Sequence, residues 1–582
     1  MLLDYALDRF KLDVLPTNPY RHAVDGEIER TPYQTLVESD VKVDGSTYYW
    51  SDSYTSVFDM ITSEWYDTAT LSESAKARVE WWGNERRIRE CRRKTISNSD
   101  RLFGYQWQTG LVFDQINHVF INDGTGLGKT RSALSCLENN FKMGPNLIIC
   151  PKIAIDAWTR EIDFLWGAGV ADYITIVGDK NERAERLQHI NDVDFVIITY
   201  DLLIKHISCR HWQGSKKLPQ GELDNIKWNA VIADESHRIK NPQALRTRCA
   251  WTASFNASKR IALTATPITV DPQDLWGQLR FLSPKEFSSI GKFRDRFLNM
   301  QKNQHGGVDC LGWKPYGELH YQQIMGWRTV RRTFESPEVQ HAMKDMTIPE
   351  EGPLSVRHLD LTPLQEKAYK QMKDHLVLAL KDWDGTTIAQ NHLDMFIKLR
   401  QIANGMPVTT DDMKVVGLDV PSNKASACLE IIQDADCNVV VFAEHSKVAG
   451  MLFRFLEDKL DSRFTTRIIT GETRQPTRLS YINEFQSDEY EDKKVLVCTT
   501  GTMSESVSLT NAGLLIFAQE PASMQQFIQC RGRVRRIGSN IVVPVISLRS
   551  RNTVEDKLAG KMSLKLDFLR EYLLQMKGDK SL

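Results

Sequence analysis

The chain has 582 residues, room for three or four domains at roughly 150 residues each. Hydrophobic residues make up 41% and charged residues 26%, which excludes a collagen-like, low-complexity or wholly disordered chain. With 74 basic against 75 acidic residues the net charge is -1, so a globally cationic coat is excluded and any nucleic-acid site must be a local patch. No apolar run approaches the roughly 18 residues of a membrane-spanning helix. The N-terminus, with Asp4 and Asp8, does not read as a signal peptide. The expectation is a cytoplasmic protein without membrane contact. The ten cysteines contain no CxxC pair and read as reduced core thiols. Cys209, His211 and His206 lack the further ligands of a zinc site.

Residues 1–95 read as an accessory domain rich in aromatics, among them Tyr48, Tyr49, Trp50, Trp65, Tyr66, Trp81 and Trp82. It closes on a basic stretch with Arg86, Arg87, Arg89, Arg92, Arg93 and Lys94. Clustered arginine beside aromatics suits phosphates and stacked bases, and a solvated helix face fits equally well. From about residue 100 short apolar runs alternate with longer mixed segments. Val119–Ile121, Leu147–Ile149, Phe195–Ile198, Val231–Ala233 and Ile261–Leu263 form a first series. Val439–Phe442, Arg467–Ile469, Val495–Val497, Leu514–Phe517 and Val542–Val545 form a second. Such runs are expected of strands buried on both faces of a parallel sheet, which gives two α/β lobes in tandem. The lobes are expected over 96–340 and 426–582. The link at 341–425 is taken as helical insertion, and the whole stretch from about 285 reads as more helical and less regular.

Three motifs carry chemistry. After the run ending at Ile121 comes Asn122-Asp123-Gly124-Thr125-Gly126-Leu127-Gly128-Lys129-Thr130. A strand feeding a glycine-rich turn and then a helix presents backbone N–H groups to phosphate oxygens. Gly126 and Gly128 keep the turn permissive, Lys129 would reach the β- and γ-phosphates, and Thr130 would bind Mg²⁺. Asp123 stands where such loops usually begin with glycine. About one lobe later, Asp234 and Glu235 end the run Val231–Ala233, where α/β sheets place ligands. Asp234 fits a Mg²⁺ ligand and Glu235 a base for an attacking water, although an isolated Asp-Glu more often starts a loop or caps a helix. Gln529-Cys530-Arg531-Gly532-Arg533-Val534-Arg535-Arg536 comes last. Arg533 and Arg536 are three apart and would share a helix face, able to reach a γ-phosphate from across a cleft. A basic surface helix or a second DNA contact is the alternative for this stretch alone.

Together these residues resemble the Swi/Snf-type branch of superfamily 2 helicases and translocases over about residues 100–570. Leu102-Phe103-Gly104-Tyr105-Gln106 is similar to the adenine-reading Q motif, and Asp123 through Thr130 to motif I, where an acid also opens the loop. Ile149-Cys150-Pro151-Lys152 with Trp158 resembles motif Ia, and Ile198-Thr199-Tyr200 motif Ib. Asp234 to His237 with Arg238-Ile239-Lys240-Asn241 resembles motif II and its tail, and Leu263-Thr264-Ala265-Thr266-Pro267 motif III. Arg331-Arg332-Thr333, Leu361-Thr362-Pro363-Leu364-Gln365, Leu399-Arg400-Gln401, Ser422 with Lys424, and Thr553-Val554-Glu555 resemble later landmarks, and Gln529, Arg533 and Arg536 fit motif VI. Motif V departs: its glycines are replaced in Thr502-Met503-Ser504-Glu505-Ser506-Val507-Ser508-Leu509-Thr510. Ser236 gives motif II a form similar to the annealing-helicase subgroup.

The resemblance implies two RecA-like lobes with parallel sheets and helical insertions, binding ATP and Mg²⁺ between them. Gln106 would read adenine. Gly126, Gly128, Lys129, Thr130, Asp234 and Gln529 would hold the nucleotide, with Thr130 and Asp234 on the metal. Lys129, Glu235, Arg533 and Arg536 would carry the chemistry. Lys152, Thr199 and Thr500 would contact DNA phosphates, which carry little sequence information. The implied activity is DNA-stimulated ATP hydrolysis with movement on duplex or branched DNA by a monomeric minimal motor, viral or bacterial. A strand-separating, fork-remodelling or annealing helicase, and a nucleotide-gated DNA-binding scaffold with little turnover, are the alternatives. An RNA helicase is disfavoured by the tail after motif II.

Overall fold

A computed structural model describes residues 98–208, 221–302, 308–315, 317–326, 328–346, 352–381, 397–409, 415–487, 492–503, 508–535 and 542–556, with short strands before residue 72. Those early strands include a five-stranded, largely antiparallel sheet formed by Lys42–Asp44, Thr47–Ser51, Arg9–Leu12, Leu2–Ala6 and Thr70–Leu71. The arginine-rich stretch from Arg86 to Lys94 lies outside the described residues, as do Cys209 and His211.

Lobe one is built on seven parallel strands: β1 (His118–Ile121), β2 (Asn146–Cys150), β3 (Tyr173–Ile176), β4 (Phe195–Thr199), β5 (Trp228–Asp234), β6 (Ala257–Leu263) and β7 (Thr329–Val330). Their order is β3-β4-β2-β5-β6-β1-β7. Every residue of β2, β4 and β5 is buried, because helices cover both faces, and this is why these strands read as unbroken apolar runs. Lobe two has six parallel strands: β8 (Leu354–Leu359), β9 (Asn438–Ala443), β10 (Phe464–Ile469), β11 (Lys493–Thr499), β12 (Ala512–Phe517) and β13 (Val545–Ser550). They run β8-β13-β12-β9-β11-β10. Val440, Phe442, Leu496, Leu515 and Phe517 pack on one side of this sheet, Val439, Val441, Val497 and Ile516 on the other.

Three differences from the sequence reading have simple causes. The last run, Val542–Val545, becomes a strand only from Val545, because Pro544 has no N–H to give a ladder; its carbonyl accepts from Leu515 N instead, at 3.0 Å. β8 comes from the stretch read as a link. It is an exposed edge strand, so it shows no apolar run. The region from 285 to 425 contains helices but also two antiparallel hairpins, Leu298–Lys302 with Val308–Trp313 and Gly405–Thr409 with Val415–Pro421. The eight described cysteines are free thiols, six of them buried.

Candidate active site

In lobe one the phosphate loop joins β1 to helix α2 (Lys129–Ser135), and Gln106 lies on α1 (Gly104–Ile116). Gly126 and Gly128 have φ of 89° and 71°, a region that side chains avoid. At Gly128 a Cβ would also stand 2.7 Å from Gln106 Nε2, so that amide would have to shift. Asp123 is fully buried beneath the loop. Its carboxylate faces Arg332 Nη1 at 3.5 Å. Arg332 also donates to Thr109 Oγ1 at 2.8 Å and stacks over the Tyr105 ring. The backbone adds its own ties: Asn122 N donates to Val330 O and Gly124 N to Arg332 O, at 2.7 and 2.8 Å. The acid that opens this loop is thus one half of a buried ion pair bracing it from below.

Lys129 Nζ donates to the carbonyls of Asp123 and Gly124, at 3.2 and 3.3 Å, and so points into the loop. Burial pushes its ammonium down from the ordinary lysine range, opposed by Glu235, Asp123 and Asp234. The two acids of motif II sit at the carboxyl end of β5. One strand, β6, separates β5 from β1, so lysine and acids emerge on the same edge roughly 10 Å apart. Trp158 Nε1, on α3 (Ile155–Trp166), donates to Asp234 Oδ2 at 2.9 Å, and Tyr200 OH to the Asp234 carbonyl at 2.6 Å. Burial, then the neighbouring Glu235 charge, push the Asp234 carboxyl well above the ordinary aspartate range. Burial also acts on Glu235, but His237, Lys129 and Arg533 outweigh it and hold that carboxylate ionised. Glu235 occupies the left-handed region at φ 48°, a conformation that costs about 1–3 kcal/mol in a non-glycine residue and clusters at functional sites.

His237 Nδ1 lies 3.2 Å from Glu235 Oε2 and 3.0 Å from Thr264 Oγ1, and Thr264 donates to Glu235 at 3.2 Å. Thr264 follows β6, the strand between the two motifs, so motifs II and III share one hydrogen-bonded knot. Lobe two enters through helix α4 (Met524–Val534). Arg533 is buried and lies close enough to Glu235 and Asp234 to feel both charges. Burial lowers its guanidinium from the ordinary range and the two acids oppose this. Gln525, on the same helix, meets His237 Nε2 through its side-chain amide. Sequence reasoning missed Gln525, because nothing local marks a residue whose partner is 288 positions away.

The expected site residues divide accordingly. Lys129, Asp234, Glu235 and Arg533 come together, with Thr130 following Lys129 on α2. Gln529 is buried on α4 one turn before Arg533, and Arg536 lies outside the described residues. Gln106 is turned inward: its Oε1 accepts from Phe103 N at 3.1 Å and its Nε2 donates to Leu127 O of the loop at 3.2 Å. The two threonines expected at DNA phosphates are both buried. Thr500 is fully buried, and the buried Thr199 hydroxyl caps a helix by accepting from Leu202 N at 3.3 Å. Lys152 is exposed. Ser504 to Val507 of motif V lie outside the described residues.

Residues 100–407 match the family model of the SNF2-related domain, and residues 423–538 match that of the helicase conserved C-terminal domain. The chain belongs to the SNF2-related family. It carries that family's ATPase core, the first match spanning lobe one and lobe two's β8, the second most of the rest of lobe two. Among curated relatives, the ISWI chromatin-remodeling complex ATPase ISW1 of Saccharomyces cerevisiae is 27% identical over 485 residues, covering 80% of this chain and 39% of its own length. The SWI/SNF chromatin-remodeling complex subunit snf22 of Schizosaccharomyces pombe is 25% identical, covering 80% and 27%. The chain therefore spans well under half the length of these relatives. Among solved structures, a Sulfolobus solfataricus SWI2/SNF2 ATPase core in complex with dsDNA is similar at 22% identity and a TM-score of 0.38, covering 84% of this chain and 95% of its own.

ATP with Mg²⁺ fits the residues present. The loop offers left-handed glycines and the N-terminus of α2, and Lys129 needs only to leave two carbonyls to meet phosphate oxygens. Asp234, held protonation-prone by burial beside a second carboxylate, is a group that a divalent cation would restore to its ionised form.

Proposed function

We propose that this chain hydrolyses ATP between its two lobes in a DNA-dependent manner and uses the cycle to move along duplex DNA. The observation that carries the reading is the buried meeting of Lys129, Asp234 and Glu235 from lobe one with Arg533 from lobe two. Glu235, ionised and oriented by His237 and Thr264, is placed to align a water and accept its proton. Lys129 and Arg533 supply the positive charge that a phosphoryl group in transit requires, from opposite sides of a cleft. Asp234 and Thr130 would hold Mg²⁺, which when bound neutralises phosphate charge. Because the charge set is completed only when the lobes meet, hydrolysis is tied to closure, and closure alternating with opening is the stroke of a motor. The chromatin-remodeling relatives support DNA as the track, with exposed Lys152 one backbone contact. Both lobes lie in one chain, so a monomer suffices.

The test is ATP turnover without nucleic acid and with duplex, single-stranded or forked DNA or RNA, for the native chain and Glu235→Gln. Duplex stimulation that the substitution lowers by at least about 10²-fold supports the reading. A preference for forks favours remodelling over simple translocation, and stimulation by RNA alone overturns the DNA assignment.

A further inference from the structure

Beyond Arg533, which faces the acids, the same segment of lobe two touches lobe one at a second place. Arg535 Nη2 lies 3.1 Å from Glu335 Oε1, and its guanidinium stands over the Phe334 ring at 4.9 Å. Phe334 is buried with Tyr105, Leu127, Val339 and Met343, directly behind the phosphate loop. Two residues earlier in the same lobe-one segment, Arg332 forms the buried pair with Asp123 and accepts the Gly124 N–H on its carbonyl. Between these contacts Gly532 sits against the loop so tightly that a side-chain carbon there would collide with Thr125. Residues 332–335 therefore brace the phosphate loop with one end and receive lobe two with the other.

We infer that Arg535 is a positioning residue: by docking on Phe334 and Glu335 it sets the depth and angle at which Arg533 enters the acidic site. The inference rests on the hydrolysis reading above. Arg533 and Arg535 are two apart, where α4 is ending (Arg535 has φ -98° and ψ 92°), so their side chains diverge, one toward Glu235 and the other toward Glu335. An exposed ion pair contributes little stability, and Glu335 is 61% exposed. The ring contact adds a modest cation–π attraction. The value of such a pair is geometric, since a shift of about 1 Å at a catalytic group can cost about 10²-fold in rate.

The test is a charge-swap cycle on the full chain: Arg535→Glu, Glu335→Arg and the double variant, with kcat and KM for ATP under saturating duplex DNA and nucleotide affinity from a fluorescent ATP analogue. We expect each single swap to lower kcat about tenfold with KM and analogue affinity within about threefold, and the double swap to recover most of the loss. Single swaps within twofold of the native kcat, or a double variant no better than Arg535→Glu, overturn the assignment. A native chain with no turnover on any nucleic acid refutes the hydrolysis reading itself, and this role with it.

Discussion

The two lobes prepare their halves of the site in different ways. Lobe one holds its half in place: the phosphate loop is backed by Arg332, Asp123 is buried against that arginine, and Asp234 is fixed by Trp158 and by the Glu235 N–H, which donates to its Oδ1. Lobe two brings a helix from which Arg533, the catalytic arginine of the proposed chemistry, faces Glu235 and Asp234 of lobe one. In the proposed cycle the first half acts as the receptor and the second as the key. Loss of support in lobe one should therefore appear as loss of stability or binding, and loss of contact in lobe two as loss of turnover alone.

That division can be broken most sharply at Asp123. Replacing it with Ala leaves the buried Arg332 with only Glu338, 3.9 Å from its Nε, as counter-charge, and removing one partner of a buried pair costs about 3–5 kcal/mol. The Asp123→Ala chain should lose that much in denaturant unfolding, while Asp123→Leu with Arg332→Met should recover much of it. An unchanged midpoint for Asp123→Ala would mean that the brace is not what holds the loop. A smaller effect is expected at Gln525. Its amide meets His237 from lobe two, and His237 orients Glu235. Gln525→Ala should lower kcat by a few-fold, as for one neutral hydrogen bond worth about 1 kcal/mol, with unfolding unchanged. A fall in stability instead would place Gln525 in lobe two's own packing.

How far the sequence could be read depended on where each residue's partners lie. Strands β2, β4, β5 and β9 are sandwiched between helix layers, and their apolar runs announce them. Edge strands β3 and β8 are half-exposed or exposed and carry Tyr, Thr, Ser, Arg and His, so no run marks them. Lys129, Asp234 and Glu235 were legible because a strand end followed by a glycine turn or an acid pair is a local pattern with a chemical use. Trp158 and Arg332 fall in family landmarks and Gln525 and Arg535 do not stand out, but all four act through contacts across long sequence separations, and no local pattern encodes their partners. Gln106 and Thr500 show the converse: the family pattern finds the residues, while burial decides which way their side chains point.

The claim that hydrolysis is completed from the second lobe is tested most directly at Arg533. Turnover and fluorescent-nucleotide affinity should be measured side by side for the native chain and Arg533→Ala on duplex DNA. The account predicts that kcat falls by about 10³-fold or more, as expected for an arginine supplied in trans, while affinity changes by less than about threefold. Turnover that survives the substitution, or a loss confined to nucleotide affinity, would contradict it.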